Sequence, residues 1–363
     1  MQSGTASRFA LFSCLSQELQ EASSWEELGY NYASVEKSAV GNTWWIDVCD
    51  ATEEDINDVA RSLSMHPLTV EDVVLKETRQ KIETFPTYYL ISLRTLSTIT
   101  DKETSEIEDD LTQPPNTVEP SMLYILVFSQ GTVTFSSSGC EHASRVRSRI
   151  SRLHDPSVLS SDWICYALID DVIDSFQPHM QSASRESEFI QDEIFIARDD
   201  DMAPLMLRIY NIRKRINHLT HSLSGKSDVL NGFVKRCQTK AWHPAFPEGD
   251  LIVYLSDVQD HLVTILGELA HLDEITSRLQ SNFLAQTSVN NMRLSVRLNS
   301  GLSKVTVLAT IFVPLHMVTG LFGMNVTVPG QDVHSLTWFF GIVGVFIAVI
   351  LAACFIFVRL KLL

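Results

Sequence analysis

The sequence predicts an α/β cytosolic domain, a long stalk helix and two C-terminal transmembrane helices. The 363 residues carry 28 Lys and Arg against 44 Asp and Glu, a formal net charge of −16. Residues 301–363 contain one acid and three bases, so the acidity belongs to the first 300 residues. An acidic body followed by a nearly uncharged apolar tail is typical of a membrane-anchored protein. It argues against nucleic-acid binding, which needs a basic face.

The α/β domain is predicted over residues 41–160, after an N-terminal segment of residues 1–40. Residues 44–48 and 88–94 are rich in aromatic and β-branched side chains, which favour strands. Residues 122–135 are similar on both sides of Gln130-Gly131, which predicts a β-hairpin.

Two helices and an insertion complete the predicted α/β domain. Residues 52–64 open with a threonine and two acids, and residues 66–74 place Pro67 at a helix start. Residues 98–120 are polar and acidic and contain prolines, so we expect a mobile insertion there.

A helical region is predicted over residues 161–248, and a stalk helix over residues 249–322. The apolar residues of the stalk alternate three and four apart, which indicates a coiled-coil-like seam. These residues are Leu255, Val258, Leu262, Ile265, Leu269 and Leu272. The pattern continues into an apolar segment without a stop signal, which predicts one helix of roughly 63 residues, about 95 Å long. The alternative is two helices broken at Gly301.

Two tail segments are long enough to cross a bilayer, which requires about 20 apolar residues. The first span covers about residues 302–322, and the second covers residues 336–358. Bases precede the first span and follow the second, in the tail of residues 359–363, whereas the loop of residues 323–335 has none. This distribution predicts that both termini are cytosolic and that the loop lies outside. A buried helical hairpin is the alternative.

The first span ends in Gly323-Met324-Asn325. With this motif at this position, the sequence resembles the CorA-type magnesium channel family, whose signature is Gly-Met-Asn, and it is closest to the fungal Alr branch. Further matches are the segments WIDV, HPLTVED and ATIFVP, at residues 45–48, 66–72 and 309–314. Phe322 stands where tyrosine is common in the family.

The resemblance implies a funnel-shaped homopentamer that lets Mg²⁺ enter the cytosol down its electrochemical gradient. It implies self-association and contact with membrane lipids, in a plasma or vacuolar membrane, and no enzymatic activity. An oligomer is also expected on physical grounds, because two spans cannot enclose a pore. The motif would form the selectivity filter, with Asn325 as a ring of amide oxygens that hydrogen-bonds the tightly held waters of Mg²⁺.

The resemblance also implies further pore-lining positions on one face of the first span. They are Asn299, Leu302, Val305, Val313, His316 and Gly320. For each apolar member, helix–helix packing is the alternative. For His316, the alternative is a hydrogen-bonded histidine that faces the second span.

Three acidic residues and a histidine on the stalk are candidates for a regulatory Mg²⁺ site, because in this family acidic residues of the stalk meet others across subunits. The candidates are Asp257, Asp260, His261 and Glu268. A divalent ion would neutralise carboxylates that otherwise repel each other across an interface. The partner carboxylate is expected on the α/β domain but cannot be chosen from the sequence. The alternative is a solvated helix face.

Two rival functions stay open. One is a transporter of zinc or another divalent metal on the same fold, which His316 favours because imidazole suits softer metals. The other is a membrane-tethered scaffold, in which the spans are only anchors.

Overall fold

A computed structural model describes most of the chain. It covers residues 8–14, 17–29, 43–98, 118–152, 159–196, 202–239, 250–326, 328, 330 and 336–359. The chain divides into two compact units. The first comprises Met1–Phe195 and Pro204–Gln280, and the second comprises Ile196–Ala203 and Ser281–Leu363. The first unit therefore joins the predicted α/β domain, most of the helical region and the beginning of the stalk.

Seven strands of the described residues form one mixed sheet in the order β2-β1-β3-β7-β6-β5-β4. They are β1 Phe9–Ser13, β2 Glu18–Ala22, β3 Trp44–Cys49, β4 Lys81–Thr84, β5 Tyr88–Thr98, β6 Val118–Phe128 and β7 Gly131–Ser136. All neighbours are antiparallel except β3 and β7, in which Trp44 lies opposite Gly131. A parallel pair needs a crossover connection, which the intervening helices and strands provide.

Besides a short helical segment at residues 25–29, nine helices are described. They are α1 Glu53–Leu63, α2 Pro67–Val74, α3 His142–Ile150, α4 Ser161–Asp174, α5 Phe176–Ile196, α6 Met202–Ser224, α7 Lys226–Gln238, α8 Asp250–Phe322 and α9 Thr337–Arg359. The start of α1 is fixed by a capping box, in which Thr52 and Asp55 each accept a hydrogen bond from the other's backbone N–H. Pro67 occupies the first turn of α2, as predicted.

The predicted strands and hairpin are confirmed as β3, β5, β6 and β7. Two further strands, β1 and β2, lie within the N-terminal segment that the sequence analysis set apart, so that segment contributes to the sheet. The predicted insertion is shorter than expected, because Thr98 ends β5 and Val118 begins β6. Its remaining residues, 99–117, lie outside the described part of the chain.

Helices cover both faces of the sheet. Ile56 and Val59 of α1 pack into a core with Ile46 and Val48 of β3. On the opposite face, the buried Asp47 of β3 accepts a hydrogen bond from Thr134 at 2.6 Å and pairs with Arg147 of α3 at 2.9 Å. A buried carboxylate is tolerated when it is paired in this way.

Helix α8 is continuous for 73 residues and passes through Gly301, so the predicted long helix is confirmed and the two-helix alternative is not what the chain forms. All six seam residues are buried. Within the first unit, α8 packs on three other helices. The Tyr254 ring lies 5.4 Å from that of Tyr166 in α4, Gln259 contacts Asn231 of α7, and Gln280 accepts a hydrogen bond from Arg213 of α6.

The second unit contains the end of α8 and all of α9. Among the described residues, one helix, Leu251–Phe322, is long and apolar enough to cross a membrane. Its most apolar stretch is almost wholly exposed. The segment Thr337–Ala353 is apolar but shorter. The second span, predicted at residues 336–358, therefore stays a prediction.

Candidate ion pathway and metal site

The Gly-Met-Asn motif follows directly on the last residue of α8. The N–H of Gly323 donates to the carbonyls of Thr319 at 3.1 Å and Gly320 at 3.2 Å, and the N–H of Met324 donates to Leu321 at 3.4 Å. The first two residues of the motif thus close the helix. Asn325 lies just beyond this last turn, with an exposed side chain.

Gly320 and Gly323 are not required by the conformation of a single chain. Gly323 belongs to the predicted filter, and a sharp turn would explain a glycine there, but its φ lies outside the left-handed region. A Cβ added to Gly323 would come no closer than 3.5 Å to the carbonyls of Thr319 and Gly320, and one added to Gly320 would meet nothing within 4 Å. Neither glycine is thus explained by packing within its own chain.

All six predicted pore-lining residues are exposed in the chain. At about 100° per residue they fall within an arc of about 120° on the helix. Ser303, Val307, Ile311 and Leu315 lie roughly opposite, and all four are buried or half-buried. Most of the apolar end of α8 is exposed, and the predicted pore face lies away from the one stripe that its own chain covers.

The exposed fractions of the apolar positions differ strongly between the two sides of the helix. Leu302, Val305 and Val313 are 65%, 64% and 65% exposed, whereas Val307 is 7% exposed. Packing against the chain's own helices therefore does not account for the first three. His316 is also exposed and lies away from the packed stripe, which disfavours the alternative in which it faces the second span.

Two of the four stalk candidates take part in a cluster of polar side chains. His261 of α8 has Nδ1 3.5 Å from Asp174 Oδ1 of α4 and Nε2 3.9 Å from Asp257 Oδ1. One ligand atom each from Asp170, Asp174 and His261 lie within 4.8 Å of one another, which is close enough to share a metal ion. Asp260 and Glu268 are exposed on α8 and do not belong to this group.

The electrostatics of the cluster favour a bound cation. Burial and the neighbouring Asp170 raise the pKa of the Asp174 carboxyl, against the opposing effect of His261. The Asp170 carboxylate is 8% exposed and already pairs with Arg149 at 2.6 Å. Asp174 and Asp257 face His261, at 3.5 and 3.9 Å, and a divalent ion there would relieve the repulsion between Asp174 and Asp170.

Within one chain, the carboxylates that His261 meets on another helix are those of α4, Asp170 and Asp174, in the predicted helical region. The partner carboxylate expected across subunits on the α/β domain stays a prediction. The four-residue spacing of these acids places both on one helix face, which could have indicated the pair. The approach of α4 to α8, however, depends on tertiary packing.

A long helix that continues into an exposed apolar segment and ends at Gly-Met-Asn is the arrangement expected of a membrane-spanning protein. Residues 41–359 match the family model described as "CorA-like Mg2+ transporter protein", and the chain belongs to this family. The resemblance stated from the motifs is thereby confirmed. The members of this family are transporters rather than enzymes.

Named relatives and a solved structure agree with this membership. The chain is 36% identical to the magnesium transporter ALR2 of Saccharomyces cerevisiae, over 96% of this chain and 44% of that protein. It is 37% identical to the magnesium transporter ALR1 of the same yeast, over 84% of this chain and 38% of that protein. The complete structure of the CorA magnesium transporter from Methanocaldococcus jannaschii superimposes with a TM-score of 0.54, at 16% identity, over 87% of this chain and 90% of that one.

The chain spans less than half the length of the two yeast transporters that it matches. The structural likeness, at 16% identity, shows a shared fold.

Proposed function

We propose that five copies of this chain form a channel that carries Mg²⁺ into the cytosol. The observation that carries the proposal is the position of Gly323-Met324-Asn325 directly at the end of α8, beyond a helix face that its own chain leaves exposed. A face with six exposed positions fits a wall that several copies complete. The yeast relatives named as magnesium transporters support Mg²⁺ as the transported ion.

The filter binds a hydrated ion. Mg²⁺ loses its inner waters reluctantly, and a ring of Asn325 amide oxygens accepts hydrogen bonds from those waters. A ring of carboxylates would bind more tightly and slow release, whereas conduction needs weak binding. Gly320 has open space around it in one chain, and a Cβ on Gly323 would meet only carbonyls of its own helix turn, which leaves room for the backbones of neighbouring copies to approach the axis.

The apolar positions of the same face form the gate. Leu302, Val305 and Val313 from five copies would narrow the pathway and expel water when the channel is closed. Asn299 adds a second polar ring at the cytosolic end, and His316 adds a ring of imidazoles.

The membrane potential drives transport. Moving two charges inward is worth about 4.6 kcal/mol per 100 mV, so no nucleotide hydrolysis is needed. Residues 336–358 form the second span, both termini lie in the cytosol, and the loop of residues 323–335 lies outside. The membrane is the plasma or the vacuolar membrane.

Cytosolic Mg²⁺ regulates the channel through the cluster of Asp170, Asp174, Asp257 and His261. Plentiful ion binds the cluster and stabilises the closed arrangement, and scarce ion leaves the carboxylates to repel one another. The presence of an imidazole also admits softer divalent metals.

Flux through the purified full chain in liposomes tests the proposal. The liposomes hold a Mg²⁺-sensitive dye, and a potassium gradient with valinomycin sets the potential. We expect Mg²⁺ entry that Asn325→Ala reduces by at least tenfold. Asn291→Ala, which changes an exposed asparagine on the cytosolic side of the same helix, is the matched control and should transport normally.

The same assay separates the rival functions. Entry of Zn²⁺ that persists in excess Mg²⁺ would favour a zinc transporter over a magnesium channel. If Asn325→Ala leaves the flux unchanged, or if the wild-type chain carries none, the spans are anchors and the proposal fails.

A further inference from the structure

A groove on α6 is lined by basic and polar side chains and takes no part in the ion pathway or the metal cluster. It has a volume of about 350 Å³. The described residues that line it are Tyr210, Arg213, Lys214, Asn217, His218 and His221, called here the α6 basic groove. We propose that this groove binds a soluble oligophosphate anion, such as a nucleoside triphosphate, in its metal-free form.

The charge of the groove is unusual for this chain. The protein as a whole has a formal net charge of −16, yet none of the six lining residues is acidic. Lys214, His218 and His221 are exposed, and within the described part of the chain none of them forms an ion pair with a carboxylate. A local excess of donors on an acidic protein attracts anions.

Packing fixes the direction in which these donors point. The lining residues recur three and four apart, as one helix face requires. The opposite face of α6 buries Ile209, Ile212, Ile216 and Leu219 in the first unit. Arg213 is held in place by its 2.9 Å hydrogen bond to Gln280 of α8, with Asp273 more distant at 3.8 Å.

The chemistry of the lining matches phosphate oxygens. A guanidinium, an ammonium, two imidazoles and an amide supply N–H donors, and phosphate oxygens are strong acceptors. The volume lies in the range of small-ligand pockets, which begins at about 300 Å³. Tyr210 is 61% exposed beside these donors and offers an aromatic face on which a base can stack.

The absence of a carboxylate among the described residues of the groove sets the preferred form of the ligand. A magnesium ion on the phosphates would occupy the same oxygens and cancel two of the charges that the groove recognises. Among the described lining residues no acid is present to hold that ion. The groove therefore discriminates against the magnesium complex. This inference does not depend on the transport function proposed above.

Isothermal titration of the purified full chain in detergent tests the inference. The probes are ATP and inorganic triphosphate, in buffer from which divalent metals have been removed by a chelating resin. We expect both to bind, and Lys214→Gln and His218→Gln each to weaken binding about tenfold, because each removes a charged or polar donor to phosphate. Lys235→Gln, an exposed lysine of α7 outside the groove, is the matched control and should bind as the wild type does.

Saturation of the probe with Mg²⁺ should weaken binding to the wild-type groove. Tyr210→Ala should weaken binding of ATP but not of triphosphate. The inference is overturned if neither probe binds, if Lys235→Gln weakens binding as much as Lys214→Gln, or if the magnesium complex of ATP binds as tightly as the free anion.

Discussion

The two parts of α8 use the same apolar residue types in opposite ways. In the first unit, Leu255, Val258 and Leu262 are at most 1% exposed, because α8 packs on other helices of that unit. In the second unit, Leu302 and Val305 are 65% and 64% exposed.

This difference shows what a repeat of apolar residues does and does not specify. Burial in the first unit stabilises that unit, at about 25 cal/mol for each Å² removed from water. The second unit leaves residues of the same apolar types uncovered within its own chain. That surface requires lipid or further copies of the chain, so one continuous pattern serves folding in one part and assembly in the other.

The largest expected effect comes from shortening a buried side chain in the part of α8 that belongs to the first unit. Leu262→Ala should lower the free energy of unfolding by about 2–5 kcal/mol, because it leaves a cavity among buried neighbours. The adjacent Val263 is 62% exposed, and Val263→Ala should change stability by less than about 0.5 kcal/mol. Thermal unfolding of the full chain in detergent, followed by circular dichroism, compares the two. Equal losses would contradict the packing described for α8.

Mg²⁺ binding to the cluster of Asp170, Asp174, Asp257 and His261 should have the next largest effect on stability. A divalent ion that binds the folded state stabilises it by about 2.7 kcal/mol at a hundred times its Kd. Mg²⁺ should therefore raise the unfolding temperature of the wild-type chain, and Asp174→Asn should remove most of this rise. Asp192→Asn changes an exposed acid of α5 and should keep it. A rise of equal size in both variants would rule out the cluster as the site.

A matched pair of leucines tests the exposed part. Leu302 is 65% exposed on the predicted pore face, and Leu308 is 60% exposed but lies outside that arc. Leu302→Ala should raise Mg²⁺ flux severalfold, which corresponds to about 1 kcal/mol of barrier, because it widens an apolar constriction. Leu308→Ala should leave the flux within a factor of two of the wild type. The assignment of the pore face fails if the two variants behave alike.

The smallest expected effect is the pH dependence of stability at two acids of α4, Asp171 and Asp174. Burial raises the pKa of Asp171, but hydrogen bonds from His142 and Arg145 outweigh it, so the net shift is downward. Asp171 thus stabilises the fold above the ordinary carboxyl range and loses this contribution as the pH falls. Asp171→Asn should cost about 0.5–1 kcal/mol at pH 7, and the cost should shrink towards pH 4.

Asp174 should behave in the opposite way. Burial and Asp170 raise its pKa, so its ionised form disfavours the fold, and the stability it contributes in acid is lost as the pH rises through the raised pKa. In metal-free buffer, Asp174→Asn should therefore slightly stabilise the chain at pH 7. Unfolding curves at several pH values would reveal both signs. A loss of stability for Asp174→Asn without metal would contradict the repulsion assigned to the cluster.

Local patterns predicted much of this fold. The strands β3 and β5 are rich in aromatic and β-branched residues, and α1 carries its own capping residues, so each could be assigned from neighbouring positions. Strand β2 could not, because four of its five residues are exposed and it lacks an alternating apolar pattern. The parallel pairing of β3 with β7 joins residues far apart in the chain, and no local pattern specifies it.

The candidate site also combines features that local sequence predicts with features that depend on tertiary packing. The filter motif and the helix face that leads to it follow from residue spacing and from the resemblance to a known family. The partners of His261 do not, because Asp170 and Asp174 come close to it only when α4 packs beside α8. The exposed fractions that separate Leu302 from Val307 also require the packed structure.

Native mass spectrometry of the chain in lipid nanodiscs tests the central claim most directly, since the exposed face of α8 can line a pathway only if several copies share it. We predict a particle whose protein mass is five times the 40.8 kDa of one chain. A single copy in each nanodisc would contradict the account.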